Sequence, residues 1–193
     1  MSDAEPTPTR TSIYTQLLLV LFCGLAYFCA FQLNTYWFDW FEFSPGANWV
    51  YIPSGLRLLF VLVLVRIGAI SIALSSIAVN YFYVGTDTHF FNIATGLISG
   101  LSPYLARHIA VTGLKLDTHL SNLNPRIFLH ISVLFAVVNA VTHQLWFYWI
   151  GQTPDFLAST LVMGIGDWTG TVLVLATASL FIQTYKRIPN RGD

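Results

Sequence analysis

Long runs of apolar residues, each close to the length of one membrane-crossing helix, constrain this chain more than any other feature. Four clear runs extend from Ile13 to Leu33, from Phe90 to Thr112, from Ile127 to Ile150 and from Phe156 to Thr184. A helix that crosses the hydrocarbon core of a bilayer needs about 20 mostly apolar residues. Each run is therefore predicted to be a membrane-spanning helix.

The composition excludes several classes of protein. Of the 193 residues, 55% are hydrophobic and 9% are charged, whereas soluble domains carry about 25% charged residues. The formal net charge is zero, so soluble, secreted and nucleic-acid-binding proteins are set aside. Several spans leave no room for a catalytic domain of about 100 residues or more. We therefore expect neither an enzyme nor a bound cofactor.

The stretch from Trp49 to Tyr83 is too long for one helix and barely long enough for two. A hairpin that turns at Arg66 gives six spans and places both termini in the cytoplasm. Lys and Arg are enriched in cytoplasmic loops, and this topology puts eight of the nine basic residues there: Arg10, Arg66, Arg107, Lys115, Arg126, Lys186, Arg187 and Arg191. The charged residues of the outer loops are then all acidic: Asp39, Glu42, Asp87 and Asp155. We predict an all-α polytopic membrane protein with a six-helix transmembrane bundle.

The predicted organisation has three parts and one unusual outer segment. Residues 1–12 are expected to form a disordered cytoplasmic tail, residues 13–184 the transmembrane domain, and residues 185–193 a basic cytoplasmic tail. The segment from Asn34 to Trp49 is rich in aromatic residues. It is predicted either to anchor in the outer leaflet or to cover the bundle as a lid, with Pro45 and Gly46 turning the chain back.

Polar side chains inside the predicted spans are the main functional signal. Five helices contribute to this group, which falls in the outer half of the bilayer: Arg57, Asn80, Asn92, Asn139, His143 and Asp167. An unpaired ionisable group at that depth costs several kcal/mol. One interpretation is an ion pair between Arg57 and Asp167 that fixes helix packing. The other is an outward-facing pocket in which Arg57 holds an anionic group, His143 responds to protonation and Asp167 is a counter-ion or proton acceptor.

Small residues and histidines give two further expectations. Gly96 with Gly100, and Gly166 with Gly170, form G-x-x-x-G patterns that let helices approach closely. They are predicted to pack helices within one bundle, or against a second copy or another partner. The histidines are scattered and none is spaced at helical intervals from another candidate ligand, so no metal site is predicted.

Four short motifs resemble the MASE1 family of bacterial membrane sensor domains. The stretch from Asn48 to Arg57, then Arg66-Ile-Gly and Ile77-Ala-Val-Asn80, resembles the opening helical hairpin of that family, and Gly166-Asp-Trp-Thr-Gly170 resembles its late Gly-Asp-x-x-Gly helix. The resemblance implies a sensor or ligand-binding module of the bacterial inner membrane. The positions that it carries over are Pro53, Gly55, Asn80, Gly166, Asp167 and Gly170.

Two departures and two alternatives accompany this resemblance. Members of the family usually have more than six spans and a fused cytoplasmic histidine kinase or diguanylate cyclase. A six-span relative would signal through a separate membrane or cytoplasmic partner. One alternative is a substrate-binding component of a transporter, similar to those of energy-coupling-factor vitamin transporters. The other is a structural bundle within a larger membrane complex.

Overall fold

The computed structural model describes residues 12–84, 88–122, 124–153 and 155–187. The tail predicted for residues 1–12 lies outside the described residues apart from Ser12, as do residues 188–193 of the predicted basic tail. The described chain is mostly helical, with these α-helices: α1 Ile13–Phe38, α2 Pro53–Leu64, α3 Arg66–Val79, α4 His89–Gly113, α5 Pro125–Trp149 and α6 Phe156–Arg187. Within the described residues, α1, α5 and α6 are long and apolar enough to cross a membrane.

Helices α2 and α3 form the hairpin predicted around Arg66. The second helix has the predicted extent, because α3 continues directly into a π-helical turn, Asn80–Val84, whereas α2 is shorter than expected. Val65 separates them with a φ of 50°, and α2 has 12 residues while α3 has 14. At 1.5 Å per residue these helices are about 18 and 21 Å long. The predicted spans began at Trp49, whereas α2 begins at Pro53, whose fixed φ and missing N–H suit the first turn of a helix.

The residues before α2 form a cap segment, defined here as residues 39–52. It contains a short 3₁₀ turn, Asp39–Phe41, and two antiparallel strands, β1 Glu42–Ser44 and β2 Ala47–Asn48. Pro45 and Gly46 turn the chain between the strands, as predicted, and Gly46 has a φ of 76° that favours glycine. The cap segment packs against α6, where the Tyr51 N–H donates to the Gly166 carbonyl at 3.2 Å. We call this end of the bundle the cap end.

Two apolar clusters stabilise the bundle, one towards each end. Near the cap end, Phe91 of α4 packs with Phe147 of α5 and Met163 of α6. Near the other end, Leu62 of α2 packs with Ala110 of α4 and Ile131 of α5, among others. Many of the buried side chains are polar, among them Arg57, Asn139 and Asp167. The outward faces carry exposed leucines on several helices, for example Leu17, Leu101 and Leu161, which is typical of a surface that contacts lipid.

The charges divide between the two ends of the bundle. The end opposite the cap, which we call the basic end, holds every described Lys and Arg except Arg57: Arg66, Arg107, Lys115, Arg126, Lys186 and Arg187. The cap end holds the described acidic residues Asp39, Glu42 and Asp155. Asp117 lies at the basic end, where hydrogen bonds from the Ser121 hydroxyl and the His119 N–H lower the pKa of its carboxyl.

Candidate functional site

A cavity of about 380 Å³ lies between the helices beneath the cap segment. Its mouth includes the exposed side chains of Asp39 and Glu42, and its inner end is lined by the buried Arg57, Asn139 and Asp167. Small-molecule sites in proteins occupy about 300–1,000 Å³. The cavity is therefore large enough for a compact ligand.

Two tyrosines hold the guanidinium of Arg57, which is only 6% exposed. Nε and Nη2 donate to the Tyr27 hydroxyl at 3.1 and 2.6 Å, and Nη2 also donates to the Tyr51 hydroxyl at 3.2 Å. The two hydroxyls lie 3.1 Å apart. The guanidinium carbon is 5.3 and 5.1 Å from the centres of the two rings, within the range of cation–π attraction. Helix α1 and the cap segment thus position the cation together.

Asp167 on α6 is 1% exposed and bonds to Asn139 on α5. Asn139 Nδ2 donates to Asp167 Oδ2 at 2.6 Å. The other side-chain atom of that amide, Asn139 Oδ1, is buried without a hydrogen-bond partner among the described residues. Such an acceptor costs about 1–3 kcal/mol when it stays unpaired. The inner end of the cavity therefore contains a carboxyl group and an amide oxygen to which no described residue donates.

The ion pair considered between Arg57 and Asp167 takes a different form. In the described part of the chain Arg57 donates to Tyr27 and Tyr51, and Asp167 accepts from Asn139. Each charged group thus has its own neutral partners, and both line the same cavity.

His143 links the cavity to α4 and α3. Its Nδ1 lies 3.0 Å from the Asn139 carbonyl oxygen, which can only accept, so Nδ1 carries a proton and donates it. Nε2 lies 3.2 Å from the Ser99 hydroxyl, which also receives a hydrogen bond from Ser76 at 2.9 Å. The single proton of the Ser99 hydroxyl can go to Nε2 or to the Thr95 carbonyl oxygen at 3.0 Å, so these contacts fit both the neutral and the protonated imidazole. A chain of hydrogen bonds therefore joins the cavity wall across three helices.

The predicted site residues are brought together with one exception. The residues of this set that line the cavity are Arg57, Asn80, Asn139, His143 and Asp167. Asn92 is buried outside the cavity lining, and its backbone carbonyl accepts from Asn80 Nδ2 at 3.1 Å. The two asparagines thus connect the end of α3 to the start of α4.

The two G-x-x-x-G patterns have different neighbours. Gly96 and Gly100 on α4 lie against α3, where a Cβ at Gly100 would overlap the Ala69 carbonyl. Gly166 and Gly170, expected in a helix contact, instead face the cap segment. A Cβ at either position would overlap a backbone carbonyl oxygen, that of Asn48 or of Tyr51. These two glycines therefore allow an extended chain, which is thinner than a helix, to lie on α6.

Sequence reasoning missed Tyr27, Tyr51 and Asn34. The buried residues of α1 are Cys23, Tyr27, Ala30 and Asn34, and this helical spacing was a detectable signal. Asn34 Oδ1 accepts from the Ile52 N–H at 2.8 Å and so holds the cap segment near α2. The tyrosines were overlooked because aromatic residues in such a sequence also serve as membrane-interface anchors.

Tyr27→Phe is expected to destabilise the protein by about 1–3 kcal/mol, because it removes the hydroxyl that accepts two hydrogen bonds from a buried charge. Phenylalanine keeps the ring beside Arg57, so the effect isolates the hydroxyl. Thermal unfolding in a mild detergent measures the change. Tyr36→Phe is the control, since Tyr36 lies on the same helix and is 83% exposed. Equal unfolding midpoints for the two variants would contradict the role assigned to Tyr27.

Neither a group of metal ligands nor a similar protein identifies the function of this cavity. Among the described residues, no group of three or more His, Cys, Asp or Glu side chains is arranged to hold a metal ion. Comparison of the chain with family models, with curated proteins and with solved structures finds no match. The resemblance to the MASE1 family stays a prediction.

Proposed function

We propose that the protein is an integral membrane ligand-binding protein of the sensor type, embedded through six helices in the bacterial inner membrane. It binds a small polar molecule in the cavity and passes the occupancy of that site to a separate partner. The observation that carries this proposal is a cavity of about 380 Å³ lined by Arg57, by Asp167 and by Asn139, whose buried amide oxygen has no partner among the described residues.

Burying charged and polar groups inside a membrane costs free energy, and this cost favours a functional role for the cavity. Charged side chains at bilayer depth are rare and usually mark a substrate, ion or ligand site. Packing alone needs neither an open volume nor an acceptor without a donor. A ligand that bonds to these groups offsets the cost of burying them, and it stabilises the arrangement of α1, α2, α5 and α6 around it.

The distribution of charge supports an outward-facing mouth. The basic end holds every described Lys and Arg except Arg57, and the cap end holds Asp39, Glu42 and Asp155 without a described Lys or Arg, so the positive-inside rule places the basic end in the cytoplasm. The start of α1 and the end of α6 then lie on the cytoplasmic side. The exposed Trp37, Trp40 and Trp49 at the cap end suit the outer interface.

A substrate-binding component of a transporter is the second candidate, and the exposure of α1 favours it. In the most apolar stretch of α1 only 17% of residues are buried, compared with 33% for α5 and for α6. A first helix with such a free face can dock a transport partner. A gene for a transport ATPase next to this one would favour the transporter component, and a gene for a kinase or cyclase would favour the sensor.

Gentle extraction followed by mass spectrometry tests the binding function. The protein is purified in a mild detergent and denatured, and the released small molecules are compared with those from an unrelated membrane protein purified in parallel. We expect at least one small polar molecule at a stoichiometric level in this protein alone. A rigid, folded bundle that releases nothing specific, and that no added metabolite stabilises, would leave only a structural role.

A further inference from the structure

The buried end of the cavity contains one fixed positive and one acidic group. Arg57 is 6% exposed and Asp167 is 1% exposed, and a guanidinium stays protonated in proteins. His143 also faces the cavity, where it contacts the Asn139 carbonyl and the Ser99 hydroxyl. With a neutral imidazole and an ionised Asp167, the charges of Arg57 and Asp167 balance. A ligand with a net charge would disturb that balance where water cannot screen it, at a cost of several kcal/mol.

The cavity offers a ligand both a hydrogen-bond donor and a hydrogen-bond acceptor. In the described part of the chain Arg57 uses Nε and Nη2 for the tyrosines, so Nη1 remains as a donor for an anionic group. Asn139 Oδ1 is a buried acceptor without a described partner, and it belongs to the amide that bonds Asp167. That side of the cavity suits a group that donates several hydrogen bonds and carries positive charge.

The mouth and the walls restrict the ligand further. Asp39 and Glu42 at the mouth give it a negative potential, which disfavours the passage of molecules with several negative charges. Phe31, Phe91 and Phe147 line the walls between the mouth and the charged end. A compact molecule with a small apolar part fits between these rings.

We propose that the cavity binds a zwitterion, with an anionic group at Arg57 and an ammonium group between Asn139 and Asp167. This inference rests on the proposed binding function and deepens it. The same chemistry occurs in free amino acids and in zwitterionic lipid headgroups, and the two sources need separate arms in the test.

The first arm measures the affinity of the purified protein for common free amino acids by calorimetry and thermal shift. Each amino acid with an uncharged side chain that binds is compared with its N-acetyl derivative, a monoanion, and its methyl ester, a monocation. We expect both derivatives to bind at least about tenfold more weakly, since each leaves one buried charge without its partner. In Asp167→Asn the preference should move towards the monoanion. Equal or tighter binding of a derivative to the wild-type protein would overturn the proposal.

The second arm places the protein in nanodiscs of phosphatidylethanolamine or of phosphatidylglycerol. Stabilisation by the ethanolamine lipid alone, without an effect of any free amino acid, identifies a headgroup as the zwitterion. If neither arm shows binding but the purified protein releases a specific molecule with a net charge, the zwitterion inference fails and the binding function stands. If no molecule of any kind binds, both fail.

Discussion

Asp167→Asn is expected to abolish stoichiometric retention of the ligand and to lower the yield of folded protein. The substitution removes the carboxylate that balances Arg57 within the cavity, while its shape changes little. Removing one charge from a buried, oppositely charged pair typically costs about 3–5 kcal/mol when the two are in direct contact. Because separate neutral groups hold Arg57 and Asp167 here, we expect the lower part of that range. Mass spectrometry of the released ligand and size-exclusion chromatography measure the two effects.

Asp155→Asn is the matched control for this prediction. Asp155 is exposed and caps the start of α6, where its Oδ1 accepts from the Ala158 N–H at 3.0 Å. Asparagine caps helices about as well as aspartate, so folding and ligand retention should stay unchanged. Equal effects of the two substitutions would contradict a specific role of Asp167 in folding and ligand retention.

Gly166→Ala is expected to displace the cap segment from α6 and to weaken ligand binding. The added methyl group would overlap the Asn48 carbonyl oxygen, and overpacking of this kind costs about 1–3 kcal/mol. Movement of the cap segment would break the hydrogen bond from the Tyr51 N–H to the Gly166 carbonyl. Tyr51 would then no longer position Arg57. Thermal unfolding and ligand affinity are the measurements.

The same helix offers a control for this substitution. A methyl group at Gly164 would meet the Ala140 Cβ at 3.7 Å and the Ala136 carbonyl oxygen at 4.0 Å, which are ordinary contacts. Gly164→Ala should therefore leave stability unchanged or raise it by up to about 1 kcal/mol, since alanine favours a helix over glycine. A similar loss in both variants would show that α6 needs flexibility rather than a close approach of the cap segment.

The helices could be predicted because each leaves a signal along the chain. Apolar runs of sufficient length predicted α1, α4, α5 and α6, and the positive charge of Arg66 predicted the hairpin of α2 and α3. The Pro45-Gly46 turn followed from local backbone preferences. The apolar run itself gave no sign that α2 is short, because Val50 and Ile52 are as apolar as the helix. The local signal for its start was Pro53, since proline suits the first turn of a helix.

The members of the site could be predicted better than their contacts. Depth along each span brought Arg57 and Asp167 to a common level, since the rise of a helix per residue is fixed. Depth says nothing about which neighbour a side chain meets across the bundle. The tyrosines that hold Arg57 come from α1 and from an irregular segment, and their placement depends on Gly166 and Gly170 meeting a strand-like chain rather than a helix. Hydrophobic periodicity along the sequence does not predict such contacts between segments that are distant in the chain.

Accessibility of the cavity from one side of the membrane tests the central claim most directly. In a chain with Cys23 and Cys29 changed to alanine, Val79→Cys places a thiol at a position that lines the cavity and is 3% exposed. Thr118→Cys places one on the exposed loop at the basic end. A small, impermeant methanethiosulfonate is added to right-side-out and to inverted inner-membrane vesicles. We predict that Val79→Cys is modified in right-side-out vesicles and that the ligand slows this modification. Thr118→Cys should be modified in inverted vesicles only. The reverse pattern, or a Val79→Cys thiol that is unreactive in both kinds of vesicle, would contradict an outward-facing binding cavity.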